Sequence, residues 1–330
     1  MAHEPVSDET AKLLRAAWFR YLDTVGDTRP ALYRYCRRMT GNIWDAEDLL
    51  QDTLLRGFGA IGRADVGSKA AQVKGPRAYL FRIATNLWID QVRRRQLISS
   101  SLSGSDDSLT GERSIQALEA ASVLMSQVAP QERSAVVLKE VFDFTLEQIA
   151  EVLSTTVGAV KSPLHRGRAR LEEVPSMRRV HRAPSKELLD RFVAALNARD
   201  VQAVTDLLLD HTTLEVCGVG SERGKRMNHY RVSFENAKAA PGRAEAVSFE
   251  GEWLLVVWAG APSDEALVNV ERLEEEDGHI AYIRSYYFCP EVIAEIAGEI
   301  GARAWASPHG QNQPPHTQAQ LVASAILPWS

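Results

Sequence analysis

The residues in this sequence best suited to chemistry are binders of charge rather than makers of bonds. Asp45, Asp48 and Asp52 recur at i, i+3 and i+7, which sets three carboxylates on one helix face. Leu50, Leu54 and Phe58 form another face at i, i+4 and i+8. An acidic ridge backed by an apolar stripe can dock on a basic partner helix. Further on, Leu80, Ile83, Ala84 and Leu87 make an apolar stripe, extended by Phe81, Trp88 and Val92. The remaining face carries Tyr79, Arg82, Asn86, Asp90 and Arg93, and the segment ends in Arg93-Arg94-Arg95. Arginines hold phosphates, asparagine reads a base edge and tyrosine stacks on an unpaired base. A third set, Lys161, His165 and Arg168, lies opposite Val160, Leu164, Gly167 and Leu171.

The charge distribution agrees with a polyanionic partner. The chain of 330 residues has a net charge of −5, but residues 1–182 hold 26 Lys+Arg against 22 Asp+Glu, and residues 183–330 hold 12 against 21. The basic excess is concentrated in residues 29–95, with 13 against 6, and in residues 161–182, with 7 against 2. The composition, 45% hydrophobic and 25% charged, is that of a globular protein. No apolar run approaches a membrane span, and the N-terminus lacks the basic start and apolar stretch of a secretion signal. Cys36, Cys217 and Cys289 are far apart and odd in number, which argues against a disulfide framework and against a structural zinc site. A cytoplasmic protein with no cofactor and no membrane partner is expected.

These sets must be held by separate units. Helical periodicity fills residues 8–95, so that 1–95 is the first domain. Gln96 to Arg113, rich in Ser, Gly and Asp, reads as a flexible linker. Residues 114–173 are helical again. There Thr145-Leu146-Glu147-Gln148 has the form of a capping box, and Leu146, Ile149 and Leu153 line one face of the helix that follows. After a turn at Ser154-Thr155, Thr156 caps a second helix, giving the layout of a helix-turn-helix with its recognition helix. Pro163 falls inside that helix, where it lacks a donor for the Ala159 carbonyl. Either the helix kinks there, or Ser162 is a fresh N-cap with Pro163 at N1.

A second seam covers 174–184. Residues 185–303 read as an α+β domain: helices within Leu188–Leu209, a strand at Glu252–Trp258, and a hairpin turning at Asp277-Gly278. Ile280, Tyr282, Arg284 and Tyr286 would share one face of its return strand. Residues 304–330 read as a weakly ordered tail.

The stretch from Leu32 to Arg95, through DAEDLLQD and PRAYLFRIATNLWIDQVRRR, resembles region 2 of extracytoplasmic-function sigma factors. The segment from Thr145 to Leu171 resembles sigma region 4. The resemblance implies two all-α domains and a function in promoter-specific transcription initiation. It implies that Asp45, Glu47, Asp48, Gln51 and Asp52 meet the β′ coiled coil of core RNA polymerase, whose β flap is a second contact. It also implies that Tyr79, Arg82, Asn86, Asp90, Arg93, Arg94 and Arg95 engage the −10 element and its melted strand. Thr156, Val157, Gly158, Ala159, Lys161, Ser162, His165, Arg166 and Arg168 would meet the double-stranded −35 element. Three positions depart from the family pattern: a turn position often occupied by Gly is Ser154, the usual Thr before Val160 is Ala159, and Pro163 sits inside the expected recognition helix.

The C-terminal part, through Lys186 to Asp200 and the late hairpin, is similar to SnoaL-like (NTF2-like) cone-shaped domains. Such cones can enclose a ligand pocket, whose lining here would be Glu215, His229, Tyr230, Trp253, Trp258, Tyr282 and Tyr286. A small-molecule or intramolecular ligand would then let the domain modulate the other two. Two rival readings are a helix-turn-helix regulator independent of polymerase and a SnoaL-like enzyme with fused DNA-binding modules. The first has no use for the acidic ridge, and the second would need catalysis that a sigma factor leaves to the polymerase.

Overall fold

A computed structural model describes residues 8–64, 76–102, 130–168, 183–224, 242–260 and 264–305. The chain forms two compact units, Met1–Arg178 and Arg179–Ser330.

The described part of the first unit is helical: α1 (Asp8–Val25), α2 (Arg29–Thr40), α3 (Ile43–Ala64), α4 (Pro76–Leu102), α5 (Pro130–Glu140), α6 (Leu146–Val152) and α7 (Val157–Arg168). Gly41 ends α2 in the left-handed region at φ 84°, its N–H donating to the Arg37 carbonyl. Asn42 then caps α3 by accepting from the Asp45 N–H at 2.8 Å. Leu50 and Leu54 are fully buried, and Phe58 meets Trp18 edge-on at 5.3 Å. On α4 the stripe of Leu80, Phe81, Ala84, Leu87, Trp88 and Val92 is buried as its periodicity requires, with Ile83 half-buried. The helix continues to Leu102, so the first seven residues of the expected linker, Gln96 to Leu102, are helical. The rest of that linker lies outside the described residues.

Helices α5–α7 pack on α2 and α4 through aromatic rings. Phe142 and Phe144, from the α5–α6 connection, lie 5.4 and 5.1 Å from the Phe81 ring, and Phe142 lies 6.1 Å from Tyr35. Thr85 Oγ1 donates to the Phe81 carbonyl at 2.7 Å, so the Tyr35 hydroxyl, 2.7 Å from the same oxygen, is the donor of their shared bond. Arg133 of α5 is buried over the Trp88 ring and donates to the Arg38 carbonyl at 2.6 Å. Burial pushes its guanidinium down to about 10.

The described part of the second unit is α+β, as the sequence implies: α8 (Lys186–Ala198) and α9 (Val201–Asp206), six strands, then α10 (Pro290–Glu299). Strands β1 (Leu208–Val216), β2 (Gly220–Arg223), β3 (Gly242–Phe249), β4 (Glu252–Ala259), β5 (Ala266–Glu276) and β6 (His279–Ser285) form one sheet in the order β2-β1-β6-β5-β4-β3. The β1–β6 pair is parallel and the other pairs are antiparallel. Leu188, Leu189 and Phe192 of α8 bury against Leu214, Leu255, Leu273 and Ile283 of the sheet.

Asp277 and Gly278 make the β5–β6 turn with φ 51° and 74°, the two positive values of a primed turn. The expected shared face of β6 is broken. Glu274 pairs with Tyr282 but Glu275 with Ile280, so Ala281 is an extra residue on β6. That step sends Ile280 into the core beside Ile283, away from Tyr282.

Candidate nucleic-acid interface

The rigid element of the first candidate site is α4. Its buried stripe leaves Asn86, Asp90, Arg93 and Arg94 exposed and Tyr79, Arg82 and Arg95 half-exposed. Steps of three and four residues from Tyr79 to Arg93 keep five of these groups on one face. The Arg82 guanidinium lies 5.1 Å over the Tyr79 ring, which leaves cation and aromatic plane together at one end of that face. Arg95 is engaged elsewhere: its Nη2 lies 3.4 Å from Asp45 Oδ2 and ties the end of the arginine run to α3. The face is suited to a phosphate backbone and to stacked or splayed bases.

The acidic ridge on α3 is divided in its roles. Asp52 is exposed and Asp48 half-buried. Asp45 accepts from Asn42 Nδ2 at 3.1 Å as well as from Arg95, so it helps fix the α2–α3 corner. Glu47 pairs with Arg29 at 3.2 Å and accepts from Gln51 Nε2 at 2.6 Å, joining the start of α2 to α3. Within the unit, Asp45, Glu47 and Gln51 are held by these internal bonds, whereas Asp52 is the most openly presented of the five.

The helix-turn-helix is built by its local chemistry. Thr145 and Gln148 complete the capping box of α6, with the Thr145 N–H donating to Gln148 Oε1 at 2.8 Å. The turn passes through Ser154 at φ 51°, the left-handed conformation that explains why glycine suits this position. Thr156 caps α7 by accepting from the Ala159 N–H at 3.3 Å. Val160 and Leu164 are buried, while Thr156, Gly158, Ala159, Lys161, Ser162, His165 and Arg166 are exposed and Val157 is half-buried. The Arg168 side chain lies outside the described residues. Helix α7 runs unbroken from Val157 to Arg168 through Pro163, so Ser162 does not start a new helix. Arg166 is turned toward α5, where it pairs with Glu132 and also donates to Ser162 Oγ. Of the proposed base readers, Arg166 is thus the one committed to holding its own domain.

In the second unit the candidate pocket residues separate. Tyr282 donates to Glu215, and Arg284 Nη2 lies 3.5 Å from Glu215 Oε1, with its guanidinium 5.5 Å over the Tyr286 ring. Trp253 instead packs on the helix-covered core and carries the Lys186 ammonium at 5.0 Å. Trp258 stacks with Arg243 at 5.0 Å. His229 and Tyr230 lie outside the described residues. A surface cavity of about 480 Å³ between α8 and α9, lined by Arg191, Ala194, Asp200 and Asp206 among others, includes none of these groups.

A buried polar set that sequence reasoning missed lies on β5 and β6. Asn269 Nδ2 donates to Glu271 Oε1 at 3.1 Å, and Ser285 Oγ to Asn269 Oδ1 at 3.1 Å. Glu271 stands opposite Leu255 and one pleat from Leu273, hence on the helix-covered face. Val268, Asn269, Val270 and Glu271, successive residues of β5, are all buried.

The Sigma-70 region 2 family matches residues 24–98 and the Sigma-70 region 4 family matches residues 118–171. The RNA polymerase sigma-E factor of Streptomyces avermitilis is 34% identical over 167 residues, covering 50% of this chain and 90% of that protein. SigW of Bacillus subtilis, an ECF RNA polymerase sigma factor, is 28% identical over 169 residues, covering 46% and 87%. The crystal structure of an NTF2-like protein of unknown function from Cytophaga hutchinsonii covers 31% of this chain and 87% of its own, at 14% identity and a TM-score of 0.23. With its two matched regions in the order found here, the chain belongs to the extracytoplasmic-function sigma factors of RNA polymerase.

Proposed function

We propose that the chain brings core RNA polymerase to promoters through two separate grips, with α4 on the −10 element and α7 on the −35 element, while the acidic ridge of α3 moors it to the enzyme. The observation that supports this best is the face of Tyr79, Arg82, Asn86, Asp90 and Arg93, half-exposed at its first two residues and exposed at the other three, on a helix whose opposite stripe is packed. A regulator that used only the helix-turn-helix would have no role for that face. The polymerase supplies the chemistry, and a factor that works on promoter DNA works in the cytoplasm. The acidic C-terminal unit then modulates initiation, its excess of carboxylates set against the basic blocks of the first unit.

The two grips cannot both act in the arrangement described within the first unit. Elements named −10 and −35 lie about 25 base pairs apart, roughly 85 Å along B-form DNA. Here α6 and α4 are packed side by side, with Phe142 and Phe81 in ring contact. Promoter engagement therefore requires α5–α7 to leave α2 and α4.

Run-off transcription with core enzyme and a library of promoter fragments tests the reading. Asn86→Ala and Lys161→Ala should each lower output by the equivalent of about 1–3 kcal/mol of lost contact while leaving co-elution with core enzyme intact. Parental output from both variants would refute the two-grip assignment. Deleting residues 185–330 should change output, and identical transcription at every salt concentration would remove the modulatory role.

A further inference from the structure

Two of the three cysteines, separated by most of the C-terminal sheet in sequence, come together in the fold. The Sγ atoms of Cys217 and Cys289 lie within 4.8 Å of one another. Neither is in a disulfide, and both are buried. Backbone hydrogen bonds fix them at the same end of one strand pair. Val216 is the partner of Ser285 in the parallel β1–β6 ladder, and the Cys217 N–H donates to the Ser285 carbonyl at 2.9 Å. After Ser285 the chain turns back at once, the Cys289 N–H donating to the Tyr286 carbonyl at 2.9 Å, and Cys289 becomes the N-cap residue of α10. The Cys217 sulfur accepts an N–H from Arg284 Nη2 at 3.6 Å, which holds its rotamer.

From this juxtaposition we propose that Cys217 and Cys289 are a modification site, a thiol pair that a hydroperoxide converts reversibly to a disulfide. A change of one χ1 well moves a sulfur by about 3 Å, so side-chain rotation closes the gap without displacing the strands. In the first step one thiolate attacks the peroxide, breaking the O–O bond; for hydrogen peroxide this gives a sulfenic acid and releases hydroxide, which takes up the thiol proton as water. In the second step the other sulfur attacks the sulfenic sulfur, the S–S bond forms and a second water leaves. The balance is two thiols and one peroxide to one disulfide and two waters, and a dithiol reductant reverses it. The bond would staple the exit of β1 to the start of α10 and enclose β2–β6 in a covalent loop, so that the acidic domain registers peroxide. Cys36 stands on α2, outside this pair.

The test uses the full chain. After hydrogen peroxide and removal of the excess by catalase, the denatured protein is alkylated with N-ethylmaleimide and its peptides are mapped by mass spectrometry. The expected result is a linked peptide containing Cys217 and Cys289, with Cys36 alkylated and all three thiols alkylated after dithiothreitol. Cys217→Ser and Cys289→Ser, each shown to retain the parental circular dichroism, should lose the linked peptide. Full alkylation of both thiols after peroxide, irreversible oxidation of each without linkage, or a bridge through Cys36 or to a second chain would overturn the proposal. None of these readouts involves transcription, so the site stands or falls apart from the promoter reading.

Discussion

Replacing Phe142 by alanine should make the sigma factor more active on promoters, although it removes a buried side chain. Phe142 is 9% exposed and touches two rings of the first helical block, Phe81 at 5.4 Å and Tyr35 at 6.1 Å. An aromatic pair contributes about 0.5–1.5 kcal/mol beyond area burial, so the two pairs together hold α5–α7 against α2 and α4 by about 1–3 kcal/mol. Losing that favours the separated arrangement by about 5–150-fold. If the packed arrangement dominates in the free protein, the concentration of Phe142→Ala giving half-maximal run-off should fall by up to that factor. Truncating a buried Phe also weakens its own domain, by about 3–5 kcal/mol in a full core. The comparison is therefore made below the melting transition, with far-UV circular dichroism confirming helical content. A variant that keeps its helices but needs as much protein as the parent, or more, would refute the argument that packing and promoter engagement compete.

Three further outcomes follow from single residues. Ser154→Gly should raise the melting temperature of the first unit by the equivalent of about 1 kcal/mol, because the φ of 51° strains any residue with a Cβ; an unchanged or lower value would contradict this. Pro163→Ala restores an N–H to the Ala159 carbonyl and should preserve or strengthen promoter binding, and a tenfold loss in a DNA titration would sink that argument. Burial pushes the Tyr35 hydroxyl up from 10.0 to about 12. The native state then keeps a proton that the unfolded chain loses, so the contribution of Tyr35 to stability is intact below pH 10 and falls by about 1.4 kcal/mol per unit between pH 10 and 12, against an opposite contribution from Arg133. Tyr35→Phe should flatten that fall in a pH series of urea melts, and a slope equal to the parent's would exclude Tyr35 as its source.

What could be read in the sequence was local. The capping box at Thr145 and Gln148, the turn at Asp277-Gly278 and the buried stripe of α4 each depend on residues within a few positions of one another, and each appears in the structure as expected. Non-local pairings were not legible. Nothing in the sequence says that Phe142 meets Phe81, that Arg133 reaches the Arg38 carbonyl, or that Cys217 lies beside Cys289. Strand β1 follows α9 with only Leu207 between them, so Leu208 looked like the end of a helical pattern. The single extra residue Ala281 reversed the face of Ile280, a change no period-two reading anticipates. At the candidate interface, sequence spacing located the exposed face of α4 but could not show that Arg166, Arg95 and Glu47 are bound to internal partners.

The most direct measurement of the whole account is size-exclusion chromatography of the purified chain with core RNA polymerase stripped of its own specificity subunit, followed by run-off transcription from the recovered complex. Co-elution and transcripts that begin at defined promoters are predicted. A chain that elutes apart from the core enzyme, while still binding DNA through its helix-turn-helix, would contradict the account.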